Sequence, residues 1–397
     1  MKETTTDEKQ PLFIDLGFTQ CFKHGEDICG DAFRFQKSSD GRVVAVLSDG
    51  LGSGVKANIL ASMTATMALR FAMEDSEILR AAEIMMGALP ICQVRKISYA
   101  TFTIVNTSLH GSTRVIEMGN PNFLFFRKGV LQEVPFRTIE SPKWQNRKMK
   151  VYHFSVEPSA RLVFFSDGIS QAGMGTKKLP LGWRGRGCAD YISGIFEETP
   201  DISSHDLCER VLEEARRKEP SHFANDDMTC ASIYFRHPRK MLLFTGPPYD
   251  PKRDVECAEI VAAFPGEKVV SGGTSAEIVS RELKLDLEMD LSHVDPELPP
   301  ASKMKGIDLV TEGIFTLTRT AQYLENYDGT RHENPAGQLA DMMLRNDVIQ
   351  ILVGTRINEA HQDPKLPQDL ELRRNIVKRI VQVLEDKFLK KVDVRYV

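Results

Sequence analysis

Val43-Val44-Ala45-Val46-Leu47-Ser48-Asp49-Gly50 is an apolar run that stops on an Asp-Gly pair, and its reading decides the fold. Five apolar residues closing on a polar turn form a buried strand. The chain continues Leu51-Gly52-Ser53-Gly54-Val55-Lys56-Ala57, a glycine-rich corner leading into a helical pattern. An aspartate so placed stands at the rim of a sheet with a glycine carbonyl beside it. Both are hard oxygen donors of the kind Mg²⁺ and Mn²⁺ take. An Asp-Gly pair after a strand is more often a plain turn, so the weight rests on its repetition.

Just upstream, Ala32-Phe33-Arg34-Phe35-Gln36 alternates like a half-buried strand, and Lys37-Ser38-Ser39-Asp40-Gly41 is turn chemistry of hairpin length. In an antiparallel hairpin the start of one strand lies beside the end of the other. Asp31 precedes the first strand and Asp49 ends the second, so both carboxylates fall on one edge. The device recurs downstream. Arg161-Leu162-Val163-Phe164-Phe165 ends in Ser166-Asp167-Gly168, and Asn225-Asp226-Asp227-Met228-Thr229 opens the strand Cys230-Ala231-Ser232-Ile233-Tyr234-Phe235. Asp167 ends a strand and Asp226 begins one, the same arithmetic. Four unrelated turn aspartates are the bland alternative. Four carboxylates on one rim repel one another unless cations compensate them. A shared carboxylate holds two divalent ions roughly 3.5–4 Å apart, the two-metal arrangement of phosphatases and nucleases, and no nucleophilic Ser or Cys is then required.

Further strand candidates lie at 13–22, 99–105, 113–118, 123–126 and 151–154, with helical patterns at 56–72, 77–89 and 206–218. Many short strands with helices inserted indicate an antiparallel α+β sandwich. The methionines at 63, 67, 73, 85 and 86 suit a helix packing face, with core filling as their plain role.

Cys29-Gly30-Asp31, Ser48-Asp49-Gly50 with Gly52-x-Gly54, Phe165-Ser166-Asp167-Gly168 and Asp226-Asp227-Met228-Thr229 resemble, in order and spacing, the motifs of metal-dependent protein phosphatases, and within them the bacterial SpoIIE type. The resemblance covers residues 12–236. It implies a four-layer α/β/β/α sandwich and hydrolysis of serine/threonine phosphoproteins with two or three Mn²⁺ or Mg²⁺ ions. Carried over, Asp49 bridges the ions and Gly50 donates its carbonyl to one. Asp167 and Asp226 ligate the other, and Asp31 stands beside it. The helices after Asp49 match an element that, in this branch, shifts to switch metal binding, and relatives pair through it, so a homodimer is a further expectation. The implied substrate is a phosphorylated protein, an anti-sigma-factor antagonist, acted on in turn by a partner kinase. Where the branch carries an Ala-Gly-His-like turn this chain has Met118-Gly119-Asn120, which leaves no histidine for an auxiliary role. The glycine-rich, basic stretch 171–186 reads either as a flap over the substrate, with Lys177, Lys178, Arg184 or Arg186 meeting phosphate, or as a solvated loop.

At 397 residues the chain has room for two or three domains. Its 42% hydrophobic and 27% charged residues are ordinary for a globular protein. A net charge of −4 gives no electrostatic reason to expect nucleic acid or an anionic membrane. Residues 1–10 are polar without the apolar core of a signal peptide, and the candidate span 59–73 is too short to cross a membrane and contains Arg70. Seven scattered cysteines without Cys-x-x-Cys indicate reduced thiols in a cytoplasmic protein and no zinc site. The reading divides the chain into a polar tail (1–11), the phosphatase domain (12–238) and a C-terminal domain (239–397), with the hinge at Arg236-His237-Pro238-Arg239-Lys240. In the last part strand patterns at 241–244, 267–270, 307–310, 348–353 and 391–396 alternate with helical ones at 253–264, 277–283, 315–325, 335–344 and 371–388. That indicates a small, mostly parallel α/β layer. Backbone amides of Gly272, Gly273 and Thr274 offer an anion site, with a plain turn and N-cap as the alternative. The expected role of this domain is ligand sensing or partner docking. Two other functions compete with phosphoprotein hydrolysis: a non-catalytic docking protein on the same fold, and a small-molecule phosphoesterase.

Overall fold

The structure, a computed structural model, describes residues 11–88, 100–140, 148–220, 222–289, 298–327, 330–356, 366–388 and 390–397. The chain divides into two compact units, Met1–His237 and Pro238–Val397.

Among the described residues of the first unit, two antiparallel sheets form. One has the order β2-β3-β4-β5-β9-β8 and contains β2 (Asp31–Lys37), β3 (Val43–Gly50), β4 (Ala100–Thr107), β5 (Ser112–Met118), β8 (Phe136–Glu140) and β9 (Lys148–Ser155). The other has the order β1-β11-β10-β6-β7, from β1 (Phe13–Cys21), β6 (Leu124–Arg127), β7 (Val130–Gln132), β10 (Ala160–Phe165) and β11 (Met228–Arg236). Alternation along the central strands divides their side chains between layers. Ala45 and Leu47 of β3 join Leu162 and Phe164 of β10 in the core between the sheets. Val44 and Val46 face the opposite way, onto Ala61, Ala65 and Ala68 of α1 (Gly54–Met73) and Ala82 of α2 (Ile78–Ala88). Val163 and Phe165 face α4 (Arg184–Glu198) and α5 (Ser204–Lys218) through Ile192, Phe196 and Val211. Three apolar layers between four structural layers make the α/β/β/α sandwich.

The strands expected from the sequence are present, and so are the helices around 56–72, 77–88 and 206–218; the predicted ends at Tyr99 and Leu89 lie outside the described residues. The chain adds β7 and β8, a short helix α3 (Asp167–Ser170), and α4; of the stretch read as a flap or loop, 171–183 is turn and bend and only its end, 184–186, belongs to α4. The apolar positions of α4, Cys188, Ala189, Ile192, Ile195 and Phe196, lie on one face and are buried.

In the second unit β12 (Lys240–Thr245) is the central strand. It pairs in parallel with β13 (Glu267–Ser271) on one side and β17 (Val348–Val353) on the other. β16 (Ile307–Thr311) extends the first side and β18 (Lys391–Tyr396) the second, both in parallel. β15 (Ser302–Met304) and β14 (Leu287–Met289) add an antiparallel edge. Met241 and Leu243 pack on one face with residues of α8 (Ile314–Glu325), α9 (Pro335–Arg345) and α10 (Leu366–Asp386). Leu242 and Phe244 pack on the other with α6 (Asp254–Ala263) and α7 (Gly273–Leu283). The mostly parallel α/β layer expected from the alternation is what forms. α7 starts at Gly273, four residues ahead of the helix read from sequence, because a glycine pair serves as its cap and first residue.

Candidate active site

Register puts the first aspartate pair together. Asp31 is the direct cross-strand partner of Asp49 in the β2–β3 ladder. In the other sheet Phe165 pairs with Cys230, so the chain just past β10 lies beside the chain just ahead of β11. The Ser166 amide donates to the Thr229 carbonyl at 3.0 Å, and the Thr229 amide donates to Ser166 Oγ at 2.9 Å. That carries Asp167 and the Asp226-Asp227 doublet to one end of the sheet. The two sheets are then joined at this end by one short bond, in which Thr229 Oγ1 donates to Asp31 Oδ2 at 2.6 Å.

Five carboxylates consequently crowd one rim. Asp31 is 2% exposed and its Oδ1 is buried without a partner. Asp227 is 4% exposed; its Oδ1 accepts from the Lys23 amide at 3.0 Å, while its Oδ2 is buried and partnerless. Asp167 Oδ2 accepts from Gln171 Nε2 at 2.9 Å, and Asp226 Oδ1 accepts from the Asp227 amide at 3.0 Å. Burial first, and then the neighbouring charges, push Asp31, Asp49 and Asp226 above the ordinary carboxylate range. For Asp49 those neighbours are Asp31, Asp167 and Asp226. Among the described residues no three Asp, Glu, His or Cys side chains already surround one metal-sized point. Asp31 is held by Thr229, Asp227 by the Lys23 amide and Asp167 by Gln171. The donor set is nevertheless all oxygen and has two bare buried oxygens, which fits Mg²⁺ or Mn²⁺ better than softer ions.

Gly50 is fixed by close approach. A Cβ there would stand 2.2 Å from the Ala57 carbonyl oxygen, so only glycine lets α1 cross the end of β3. Gly50→Ala is expected to destabilise the first unit by about 2–3 kcal/mol, read as a lower urea midpoint with an unchanged m-value. The start of α1 is also tied to the loop ahead of Asp31. Ser53 Oγ donates to Glu26 Oε1 and Asn58 Nδ2 donates to the Cys29 carbonyl, both at 2.8 Å.

Asn120, in place of the expected histidine, is buried against β4. It accepts from Thr101 Oγ1 and donates to Thr103 Oγ1 at 3.2 Å, and Thr101 is the cross-strand partner of Asp49. Glu117 is 2% exposed and accepts from the Phe123 amide at 2.6 Å and from the Tyr152 hydroxyl at 2.9 Å. Burial pushes its carboxyl up to about 7.

Of the basic residues singled out in the sequence, Arg184 and Arg186 line a cleft of about 730 Å³ together with Phe136, Leu181 and Gln171, the residue bonded to Asp167. Lys177 and Lys178 are exposed on the turn before it and are not among its walls. Arg186 also pairs with Asp190 at 3.1 Å. Gly272 precedes α7, and Gly273 and Thr274 form its first turn. Asp227 is the site residue that sequence reading passed over in favour of its neighbour Asp226. A doublet of aspartates just ahead of a fully buried strand was the available signal.

Two antiparallel sheets face to face, a helix layer on each, and aspartates of both sheets at one end are the layout of PP2C-type protein serine/threonine phosphatases. Residues 39–236 match the family described as Stage II sporulation protein E (SpoIIE), and the first unit is a SpoIIE-type phosphatase domain. Among solved structures, the phosphatase domain of SpoIIE from Bacillus subtilis matches at 15% identity, covering 57% of this chain and 94% of that one, with a TM-score of 0.43. The RsbU and RsbW domains of a Mycobacterium tuberculosis protein match at 22% identity over 57% and 61% of the two chains, TM-score 0.46. RsbX in complex with magnesium matches at 17% identity over 56% and 95%, TM-score 0.39. No curated protein matches the chain by sequence. No described helix is long and apolar enough to cross a membrane.

Proposed function

We propose that the protein is a Mn²⁺- or Mg²⁺-dependent phosphatase of phosphoserine and phosphothreonine proteins in a bacterial partner-switching pathway. The observation that carries this reading is the rim of five aspartates with bare buried oxygens on Asp31 and Asp227. Asp49, Asp167 and Asp226 are the residues that would hold the cations, with the Gly50 carbonyl and Asp31 beside them. When bound, divalent ions neutralise these carboxylates, polarise the phosphoryl group and acidify the attacking water. The chain's own part is to set the ligand geometry. Thr229 holds Asp31, Gln171 orients Asp167, and the β2–β3 ladder fixes Asp49 opposite Asp31.

The cleft beside Gln171 is the proposed seat of the phosphoprotein. Its apolar wall at Phe136 and Leu181 takes side chains of the substrate, and Arg184 and Arg186 meet acidic or phosphate groups. The SpoIIE-type resemblance makes an anti-sigma-factor antagonist, phosphorylated by a partner kinase, the substrate of this reading. The free thiols Cys21, Cys29, Cys188, Cys208, Cys230 and Cys257 support a cytoplasmic location. Phosphate release by the full chain from phosphoserine and phosphothreonine peptides, with Mn²⁺ and then with chelator, tests the proposal. Release that does not depend on the cation overturns it, and faster turnover of nucleotides than of peptides points to a small-molecule phosphoesterase.

Val55, Ile59 and Met63 lie one turn apart on the outer face of α1 and are 60%, 53% and 47% exposed. This stripe supports a homodimer formed through α1, the helix tied to the loop ahead of Asp31. Ile59→Lys is expected to convert a dimer to a monomer in analytical ultracentrifugation, and a wild-type chain monomeric at high micromolar concentration ends this part of the reading.

A further inference from the structure

The second unit gathers four strand ends at one edge of its parallel sheet: Thr245-Gly246 after β12, Ser271-Gly272-Gly273 after β13, Thr311-Glu312-Gly313 after β16 and Gly354-Thr355 after β17. From β12 the chain moves to β13 and β16 on one side, then returns to β17 and β18 on the other. The strand order therefore reverses between β12 and β17, and ligands of open parallel sheets bind beyond the carboxyl ends of strands at such a reversal.

The ends meet as bare backbone. A Cβ on Gly313 would stand 3.2 Å from the Gly272 Cα. One on Gly272 would stand 3.4 Å from Ser275 Oγ, 3.7 Å from the Glu312 carbonyl oxygen and 4.0 Å from the Gly246 nitrogen. Gly272 has a φ of 124° and Gly313 one of 151°, a backbone region that side chains disfavour. These glycines bring the starts of α7 and α8 side by side. The glycines that precede the two helices carry no capping side chain, and the Glu312 carboxylate accepts from the Phe315 amide of α8, so it is the start of α7, at Gly273 and Ser275, that faces a ligand at the edge.

Unsatisfied groups converge on the same place. Ser275 and Thr316, the third residues of α7 and α8, are 0% exposed, and both hydroxyls lack a partner. The Ser275 hydroxyl faces the space beside Gly272 and Gly246. Glu312 Oε2 is also buried and partnerless. The Arg373 guanidinium of α10 lies against Gly246, with one nitrogen 2.6 Å from where a Cβ would be, and its charge acts on Glu312. A buried hydroxyl left unpaired costs about 1–3 kcal/mol, and three orphaned oxygens at one sheet edge are the mark of groups kept for a ligand.

We infer that this edge is a binding site for a phosphate monoester bearing free hydroxyls, of the nucleotide class. The phosphate sits on the first turn of α7 with Ser275 and Arg373, and Glu312 accepts from a ribose hydroxyl. Helix amides and a guanidinium select an anion, and a carboxylate beside them requires a donor on the same ligand. The second unit is then a small-molecule sensor joined to a phosphatase.

The test is calorimetric titration of the full chain, in chelator, with AMP, inorganic phosphate and adenosine as separate probes. AMP is expected to bind saturably, phosphate more weakly, and adenosine not at all. Arg373→Gln is expected to weaken AMP about tenfold or more and Ser275→Ala about three- to tenfold, with the unfolding temperature and cation-dependent phosphatase activity of both variants unchanged. Asp49→Asn is expected to leave AMP binding intact, so the outcome does not depend on the phosphatase reading. No saturable binding of AMP or phosphate overturns the inference. So does adenosine binding as tightly as AMP, or AMP binding lost in Asp49→Asn but kept in Ser275→Ala.

Discussion

Asp49→Asn is expected to lower cation-stimulated phosphate release by at least about 10³-fold while leaving the fold intact in chelator, and even slightly more stable. The loss follows from position. Asp49 lies directly across the ladder from Asp31 and feels the charges of Asp31, Asp167 and Asp226, so it interacts with three of the other four carboxylates of the rim. Removing its charge takes away the group best placed to be shared by two cations. Electrostatic stabilisers of a transition state are each worth about 10²–10³-fold, and a ligand common to two ions exceeds that. The opposite sign of the stability effect has the same origin. Without cations the carboxyl is pushed upward, chiefly by burial and then by three neighbouring acids, so the charged form is already disfavoured there. Asparagine keeps the shape and drops the charge. Steady-state kinetics on a phosphopeptide and a melt of the same preparation in chelator check both halves. A variant that keeps most of its cation-stimulated activity sinks the assignment. One that unfolds in chelator makes the activity loss uninformative, and Asp167→Asn or Asp226→Asn then carries the test.

Strand direction was the legible part of this site. Asp49 ends a fully apolar strand and Asp31 begins its neighbour, and antiparallel pairing leaves no other outcome than their meeting. What the sequence could not convey was how the second sheet closes on the first. The Thr229–Asp31 bond joins residues 198 positions apart, and no local pattern encodes it. The strands β7 and β8 went unread because their side chains are mostly exposed or half-buried, without the apolar alternation that marks a strand. α4 was hidden differently. Gly185, Gly187 and Gly194 lower its intrinsic propensity, and Arg184 and Arg186 make its start look like a solvated loop. Its spacing of Cys188, Ala189, Ile192, Ile195 and Phe196 was helical all along, and burial on the five-stranded sheet overrides the glycines. In the second unit β12 and β17 read clearly because they are nearly continuous apolar runs, and β18 through its alternating Val392 and Val394. The short edge strands β14 and β15, largely exposed, did not.

Addition of Mg²⁺ or Mn²⁺ at about a hundred times its dissociation constant is expected to raise the unfolding temperature of the first unit by about 5–10 °C, and more at pH 8.5 than at pH 6. A ligand at that excess contributes about 2.7 kcal/mol, and each kcal/mol moves a domain of this size by about 2–4 °C. The pH dependence has a definite sign. In chelator Asp31, Asp49 and Asp226 have folded-state values raised above the ordinary carboxylate value of about 4, so the folded chain holds more protons than the unfolded one above that pH. Their contribution is fully present below about pH 4 and is lost as pH rises through the raised values, which makes the cation-free protein weaker in alkali. Cations remove that loss by replacing the protons. Glu117 supplies an internal control. Its value, raised from 4.5 to about 7 by burial, gives the same downward slope between those two pH values, but it bonds the Phe123 amide and the Tyr152 hydroxyl rather than facing the rim. Glu117→Gln retains an acceptor for the amide and a donor for the hydroxyl. It is expected to flatten the slope between pH 4.5 and 7 without changing the cation effect, whereas Asp49→Asn flattens the slope across that range and above pH 7 and also diminishes the cation effect. Melts of the three proteins across pH 5–9, with and without Mg²⁺, separate the two contributions. A cation shift that is equal at both ends of the range, or that survives Asp49→Asn undiminished, would mean that the ions bind somewhere other than the aspartate rim.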